Sequence, residues 1–222
     1  MTKIEMPRGW EQVSIKKYQK LQELLQQQEG QNTGLDVLVQ VAAVLAGVEE
    51  DVINQLDVKD WTRLEQGLSS WVTTEPRFDT KYSIKKIILN DKTYLVQDDV
   101  NRWTTAQYID FQSMVSKPEL LTNLLACILI PKGYDKYNTG YDALEVAKEL
   151  EDLSITVAMS VQFFFLKQWA SSMKATATCL AHRRGKTKEE TKLIRKMGRE
   201  MKQAISTMCG CQWYQQYLTQ QS

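Results

Sequence analysis

Two short runs rich in β-formers, Tyr82-Ser83-Ile84-Lys85-Lys86-Ile87-Ile88-Leu89 and Thr93-Tyr94-Leu95-Val96, are separated only by Asn90-Asp91-Lys92. That pattern predicts a β-hairpin over about 82–97. A hairpin alone is marginally stable in water, so it demands cover: a helical surface beneath it, or a neighbouring sheet to join. The rest of the chain supplies mostly helix.

The cover is written in the segment that follows. Thr104 and Gln107 have capping-box spacing ahead of Tyr108, Ile109, Phe111, Met114 and Val115. Ser116 and Pro118 repeat the start signal, because proline in the first helical turn loses no hydrogen bond. Leu120, Leu121, Leu124, Leu125, Ile128 and Leu129 then predict a helix apolar nearly all round, stopped by Pro131 and central to the core. A loop over 132–140 precedes a helical pattern through Leu144, Ala147 and Leu150. The pattern resets at Ser154 and continues through Phe163-Phe164-Phe165 to Trp169.

Upstream, Trp10 anchors an N-terminal arm, and Ser14 caps an amphipathic helix carrying Ile15, Tyr18, Leu21, Leu24 and Leu25 on one face. Residues 35–46 form a more apolar helix ended by Gly47, where a left-handed residue suits the stop. Glu49-Glu50-Asp51 places negative charge at the start of a short helix, and Asp57 caps a longer one bearing Trp61, Leu64, Leu68 and Trp71. The fold class is therefore mainly α: a helical bundle with one embedded β-hairpin. The composition shifts suggest an N-terminal bundle over 1–76, a hairpin with central apolar helices over 77–181, and a basic helix with an aromatic, glutamine-rich tail over 182–222. These segments can also pack as one domain.

Hydrophobic residues at 43% and charged residues at 25% describe a chain that folds, not a disordered one. There is no secretory signal pattern, and the longest apolar stretch, 155–166, is well short of the roughly 20 residues a membrane helix needs. The reading is a soluble protein of a reducing compartment. The scattered cysteines Cys127, Cys179, Cys209 and Cys211 agree with that. The net charge of +1 conceals a basic segment, 183–202, which holds nine Lys or Arg against three Glu. Its cations Arg183, Arg184, Lys186, Lys188, Lys192, Arg195, Lys196 and Arg199 could neutralise a nucleic-acid backbone. The apolar stripe Leu193, Ile194, Met197 and Met201 commits the opposite side to packing, and a solvated charged face is the competing reading.

Several arrangements that could carry chemistry fall short on spacing. Gly185-Lys186-Thr187 matches the end of a phosphate-binding loop, but the motif's first glycine falls on Leu180 and no strand precedes it. Cys179, His182, Cys209 and Cys211 could supply zinc ligands, yet Cys209 and Cys211 are closer together than the usual motif allows. His182, the only histidine, sits among cations with no carboxylate nearby to orient it. The acidic pairs Asp98-Asp99, Glu49-Glu50 and Glu151-Asp152 belong to helix starts and exposed faces, and adjacent residues on a helix point apart. The chain reads as non-enzymatic, without metal or cofactor. Its expected partner contacts are the hairpin edge, Tyr134, Tyr137 and Tyr141 in the loop, and Trp213, Tyr214 and Tyr217 in the tail, where aromatics can anchor.

Five stretches together carry a family resemblance: Trp10 with Ile15-Lys16-Lys17-Tyr18-Gln19-Lys20-Leu21; Leu45-Ala46-Gly47-Val48-Glu49-Glu50; Tyr94-Leu95-Val96; Trp103-Thr104-Thr105-Ala106-Gln107-Tyr108-Ile109-Asp110; and Leu124-Leu125-Ala126-Cys127-Ile128-Leu129-Ile130-Pro131 before the tyrosine-rich loop. The chain resembles helical proteins encoded among the virion structural and assembly genes of tailed bacteriophages, especially crAss-like and other phages of Bacteroidota. The resemblance implies a non-enzymatic tail or neck component, packaged cargo protein or tail assembly chaperone. It would be found in the virion or the host cytoplasm, as a homo-oligomer among other phage structural proteins. A basic C-terminal helix would suit a component near packaged DNA.

Overall fold

A computed structural model describes residues 4–27, 35–74, 76–77, 84–114, 117–134, 140–182 and 192. The protein is mainly helical with one small antiparallel sheet. In chain order the elements are α1 (Ile15–Gln27), α2 (Leu35–Ala46), α3 (Glu50–Asn54), α4 (Val58–Ser69), β1 (Lys86–Leu89), β2 (Lys92–Val96), α5 (Thr105–Met114), α6 (Leu121–Ile128), β3 (Leu129–Pro131), α7 (Ala143–Leu150) and α8 (Ile155–His182). They belong to two compact units, Met1–Lys81 with Lys148–Ser160, and Tyr82–Ala147 with Val161–Ser222. The chain passes between the units inside α7 and α8.

In the first unit, helix ends explain most of the order. The N–H groups that open a helix have no partner within it, and here α1 and α8 satisfy each other's. Ser14 and Ser154 form an antiparallel bridge. Ile15 N–H donates to the Leu153 carbonyl at 2.9 Å, and Ile155 N–H donates to the Val13 carbonyl at 2.9 Å. The segment 148–160, which the sequence groups with the central helices, is stitched to the N-terminal one by these bonds. Asp57 caps α4 as its sequence position suggests, accepting from Asp60 N–H at 2.8 Å. Gly47 ends α2 at φ +74°, and Val48 N–H returns to the Ala43 carbonyl at 3.1 Å. Lys17 Nζ adds a cation at that negative helix end, donating to the Leu45 carbonyl at 2.7 Å. Trp10 is buried as an anchor, edge-on to Trp71 and Tyr18, with its indole N–H on the Thr74 carbonyl at 2.7 Å.

The second unit contains the hairpin, and here the structure corrects the sequence reading in two places. Lys92 is the first residue of β2, so the turn has two residues, Asn90 and Asp91, with φ of +48° and +60°. Both left-handed conformations are what a type I′ turn requires, and its twist matches that of the strands it joins. The second correction concerns α6, which stops at Ile128; Leu129 turns extended and opens β3. Pro131 favours the stop, since it disfavours helical backbone at Ile130 before it and offers no N–H to the Cys127 carbonyl. The hairpin's cover is thus partly its own chain: the sheet order is β1-β2-β3, with Leu95 opposite Ile130.

Ending α6 inside the core leaves four carbonyls to satisfy, and each finds a partner. Leu125 accepts from Leu129 N–H within the helix cap. The N–H of Ile130 is turned toward β2, Pro131 has none, and Lys132 N–H donates to the Thr93 carbonyl at 2.8 Å. The next three carbonyls therefore depend on distant groups. Ala126 accepts from the Tyr141 hydroxyl at 2.5 Å, Cys127 from Gln107 Nε2 at 2.6 Å, and Ile128 from Gln97 N–H at 2.8 Å. One helix terminus thereby holds together β2, α5 and the entry to α7. Around it, Trp103 stacks on Phe165 at 5.0 Å, and Phe111 lies edge-on to Trp103, Phe165 and Trp169. Phe163, Phe164 and Phe165 are all buried. Three successive helical residues cover most of the circumference, so α8 is enclosed at that level.

Candidate interaction surface

The three-stranded sheet has two edges, and they are treated differently. At the β3 edge, alternation of hydrogen bonding turns Leu129 and Pro131 outward. Pro131 has no N–H to offer, and the Leu129 carbonyl lies 3.3 Å from the Tyr141 hydroxyl. That edge is blunted, as edges of natural sheets usually are.

Among the described residues the β1 edge is open. Val96 N–H donates to the Lys85 carbonyl at 2.9 Å, and Ile87 and Leu89 face Tyr94 and Lys92 in the same set of bonded pairs. The backbone groups of Lys86 and Ile88 therefore point away from β2, and among the described residues no strand accepts them.

Side chains follow the same division. On the inner face Ile87, Tyr94, Val96 and Leu129 are buried; on the outer face Ile130 is fully buried, whereas Leu95 is 38% and Ile88 69% exposed. The outer face is thus covered at the β3 side and progressively bare toward β1. Lys86 lies exposed on that outer face, and Asp91 is exposed on the turn. Lys85, on the inner side, pairs with Asp98 and stands over the Phe164 ring at 5.6 Å, which fixes the start of β1 against the helix beneath it.

Tyr134 and Tyr141 differ in their surroundings. Tyr134 is 43% exposed and remains a contact candidate. Tyr141 is 9% exposed, with its ring edge-on to Tyr134 at 5.8 Å and its hydroxyl spent on the α6 terminus, so it is a structural residue and not a partner anchor. Its spacing after a tyrosine-rich loop carried no sign of this, because the acceptor lies fifteen residues upstream. Tyr137, Trp213, Tyr214 and Tyr217 lie outside the described residues. So do Arg183, Arg184, Lys186, Lys188, Arg195, Lys196 and Arg199; Lys192, which is described, is exposed.

Members of the acidic pairs lie at a helix start or in surface ion pairs. Glu49 is the N-cap residue of α3, Asp99 pairs with Arg102 at 3.3 Å, and Glu151 pairs with Lys16 at 3.0 Å. Hydrogen bonding to Glu151, with its charge, raises the Lys16 pKa above the ordinary lysine value. Cys127 lies buried on α6 and is not part of a disulfide. Among the described residues no three His, Cys, Asp or Glu side chains cluster to hold a metal, and no helix is long and apolar enough to cross a membrane. The side chains of Cys179 and His182, with Cys209 and Cys211, lie outside that set. Comparison with protein-family models, with curated proteins and with solved structures gave no match.

Proposed function

We propose that this chain is a non-enzymatic structural or assembly protein of a tailed bacteriophage, a tail or neck component, packaged cargo protein or tail assembly chaperone, that works through protein–protein contacts. The observation that carries the contact role is the open β1 edge with Ile88 and Leu95 bare beside it. An exposed strand edge offers ready hydrogen bonds to a second strand, and a small protein that blunts one edge and leaves the other free has a surface suited to strand addition. The phage setting rests on the sequence resemblance described above.

A second reading, nucleic-acid binding, is favoured by the nine cations of 183–202. Light scattering after size exclusion, at low and high salt, with the absorbance ratio checked for nucleic acid, separates the two. A discrete oligomer or a stable complex with a co-expressed virion protein, free of nucleic acid and insensitive to salt, is the expected result. A species that carries nucleic acid and releases it as salt rises would replace the first reading with the second, because counterion release makes such binding steeply salt-dependent.

A further inference from the structure

We infer that the β1 edge pairs with the β1 edge of a second copy of this chain, antiparallel about a two-fold axis at Ile88. The inference rests on the protein–protein reading above and names both the surface and the occupant. Only Lys86 and Ile88 within β1 direct their backbone groups outward, so few two-fold registers can form bonded pairs. Centring the axis on Lys86 sets two ammonium groups directly opposite each other, which is unfavourable. Centring it on Ile87 puts each Lys86 against an Ile88, charge against apolar surface.

Centring it on Ile88 makes the edge self-complementary. Ile88 of one copy meets Ile88 of the other, exchanging two backbone hydrogen bonds and covering the most exposed apolar side chain of the sheet. On the inner face Ile87 comes opposite Leu89, which is only half-buried in the single chain. At the ends, Lys86 of each copy falls opposite Asn90 of the other, with the exposed Asp91 carboxylate one residue further along the turn, within reach of the long lysine side chain, so each end of the seam brings a cation near an anion. The charge order along this edge, cation first, isoleucine in the middle, anion last, is the order that a two-fold axis matches to itself. The product is a continuous six-stranded sheet whose free edges are the two blunted β3 strands.

Sedimentation velocity across a concentration series tests the pairing on the full chain. The wild-type chain is expected to show a monomer–dimer equilibrium. Ile88→Pro should abolish it while leaving the fold intact, because the Ile88 N–H makes no bond within the hairpin and proline is tolerated at such an edge position. Retention of the helical circular dichroism and of the thermal midpoint checks that the variant folds. Lys86→Glu and Asp91→Asn, both at exposed positions, should each raise the dissociation constant by about three- to tenfold, in keeping with two surface ion pairs per dimer. A dimer untouched by Ile88→Pro would overturn the β1 assignment and leave the assembly reading standing. A chain that stays monomeric at the highest attainable concentration would overturn the pairing, and co-purification of a virion protein would then still uphold the assembly reading.

Discussion

Tyr141→Phe removes one oxygen atom and keeps the ring that packs against Tyr134, so it isolates the role of the hydroxyl. In the native protein that hydroxyl donates to the Ala126 carbonyl at 2.5 Å, in a stretch where residues 125–130 are all fully buried. The N–H that would have continued the helix cannot take its place, because it belongs to Ile130, which is bonded across the sheet to Leu95. The variant therefore leaves a buried acceptor unpaired, which costs about 1–3 kcal/mol. Taking ~2 kcal/mol, the thermal midpoint of a chain of this length should fall by about 4–8 °C. Urea unfolding should show a lower midpoint with an unchanged slope, since the surface exposed on unfolding is the same. The matched control is Tyr134→Phe, at a half-exposed position, which should stay within about 0.5 kcal/mol of the native protein. If Tyr141→Phe were no more destabilising than that control, the account of α6 as a helix end satisfied by distant donors would be wrong.

Three further perturbations probe other contacts of the fold. Gln107→Met keeps the volume but withdraws the Nε2 donor from the Cys127 carbonyl, and should cost about 1–3 kcal/mol in the same urea assay; a neutral result would show that this carbonyl needs no partner. Gly47→Ala places a Cβ at φ +74°, where L-residues are strained, and should destabilise the first unit by about 1 kcal/mol, read as loss of hydrogen-exchange protection at the end of α2. Lys16 titrates above the ordinary lysine value of 10.5 because Glu151 stabilises its charged form. The sign follows from linkage: the stabilisation is fully present below the unfolded-state pKa and is lost as pH rises through the higher folded-state value, so it vanishes only in strongly alkaline solution. Glu151→Gln should return the Lys16 side-chain resonance to an ordinary titration, and an unchanged titration would count against the pairing.

The placement of helices was legible in the sequence because the signals are local. Asp57, Ser14 and Gly47 act on backbone groups within a few residues of themselves, so their chemistry can be read without knowing where the rest of the chain goes. The hairpin was legible for the same reason, with Asn90 and Asp91 both tolerant of left-handed backbone. The candidate surface was only half legible: an edge could be anticipated at the hairpin, but which edge stays open depends on where β3 docks. The two-residue slip at Leu129 shows why. An apolar run ending in proline satisfies a helix and a buried strand equally well by periodicity, and length does not decide between them at a boundary.

The sequence by itself therefore determined the helices and the hairpin, most of their ends and the alternation that makes one face of the hairpin apolar, but not the third strand. Tertiary structure alone decided that Ile130 is covered while Ile88 is bare, that Tyr141 faces the core and not a partner, and that the starts of α1 and α8 cap each other. Each of those outcomes is a hydrogen bond or burial event between residues far apart in the chain. A donor can announce that it needs an acceptor; only the packed chain brings one within 3 Å or so.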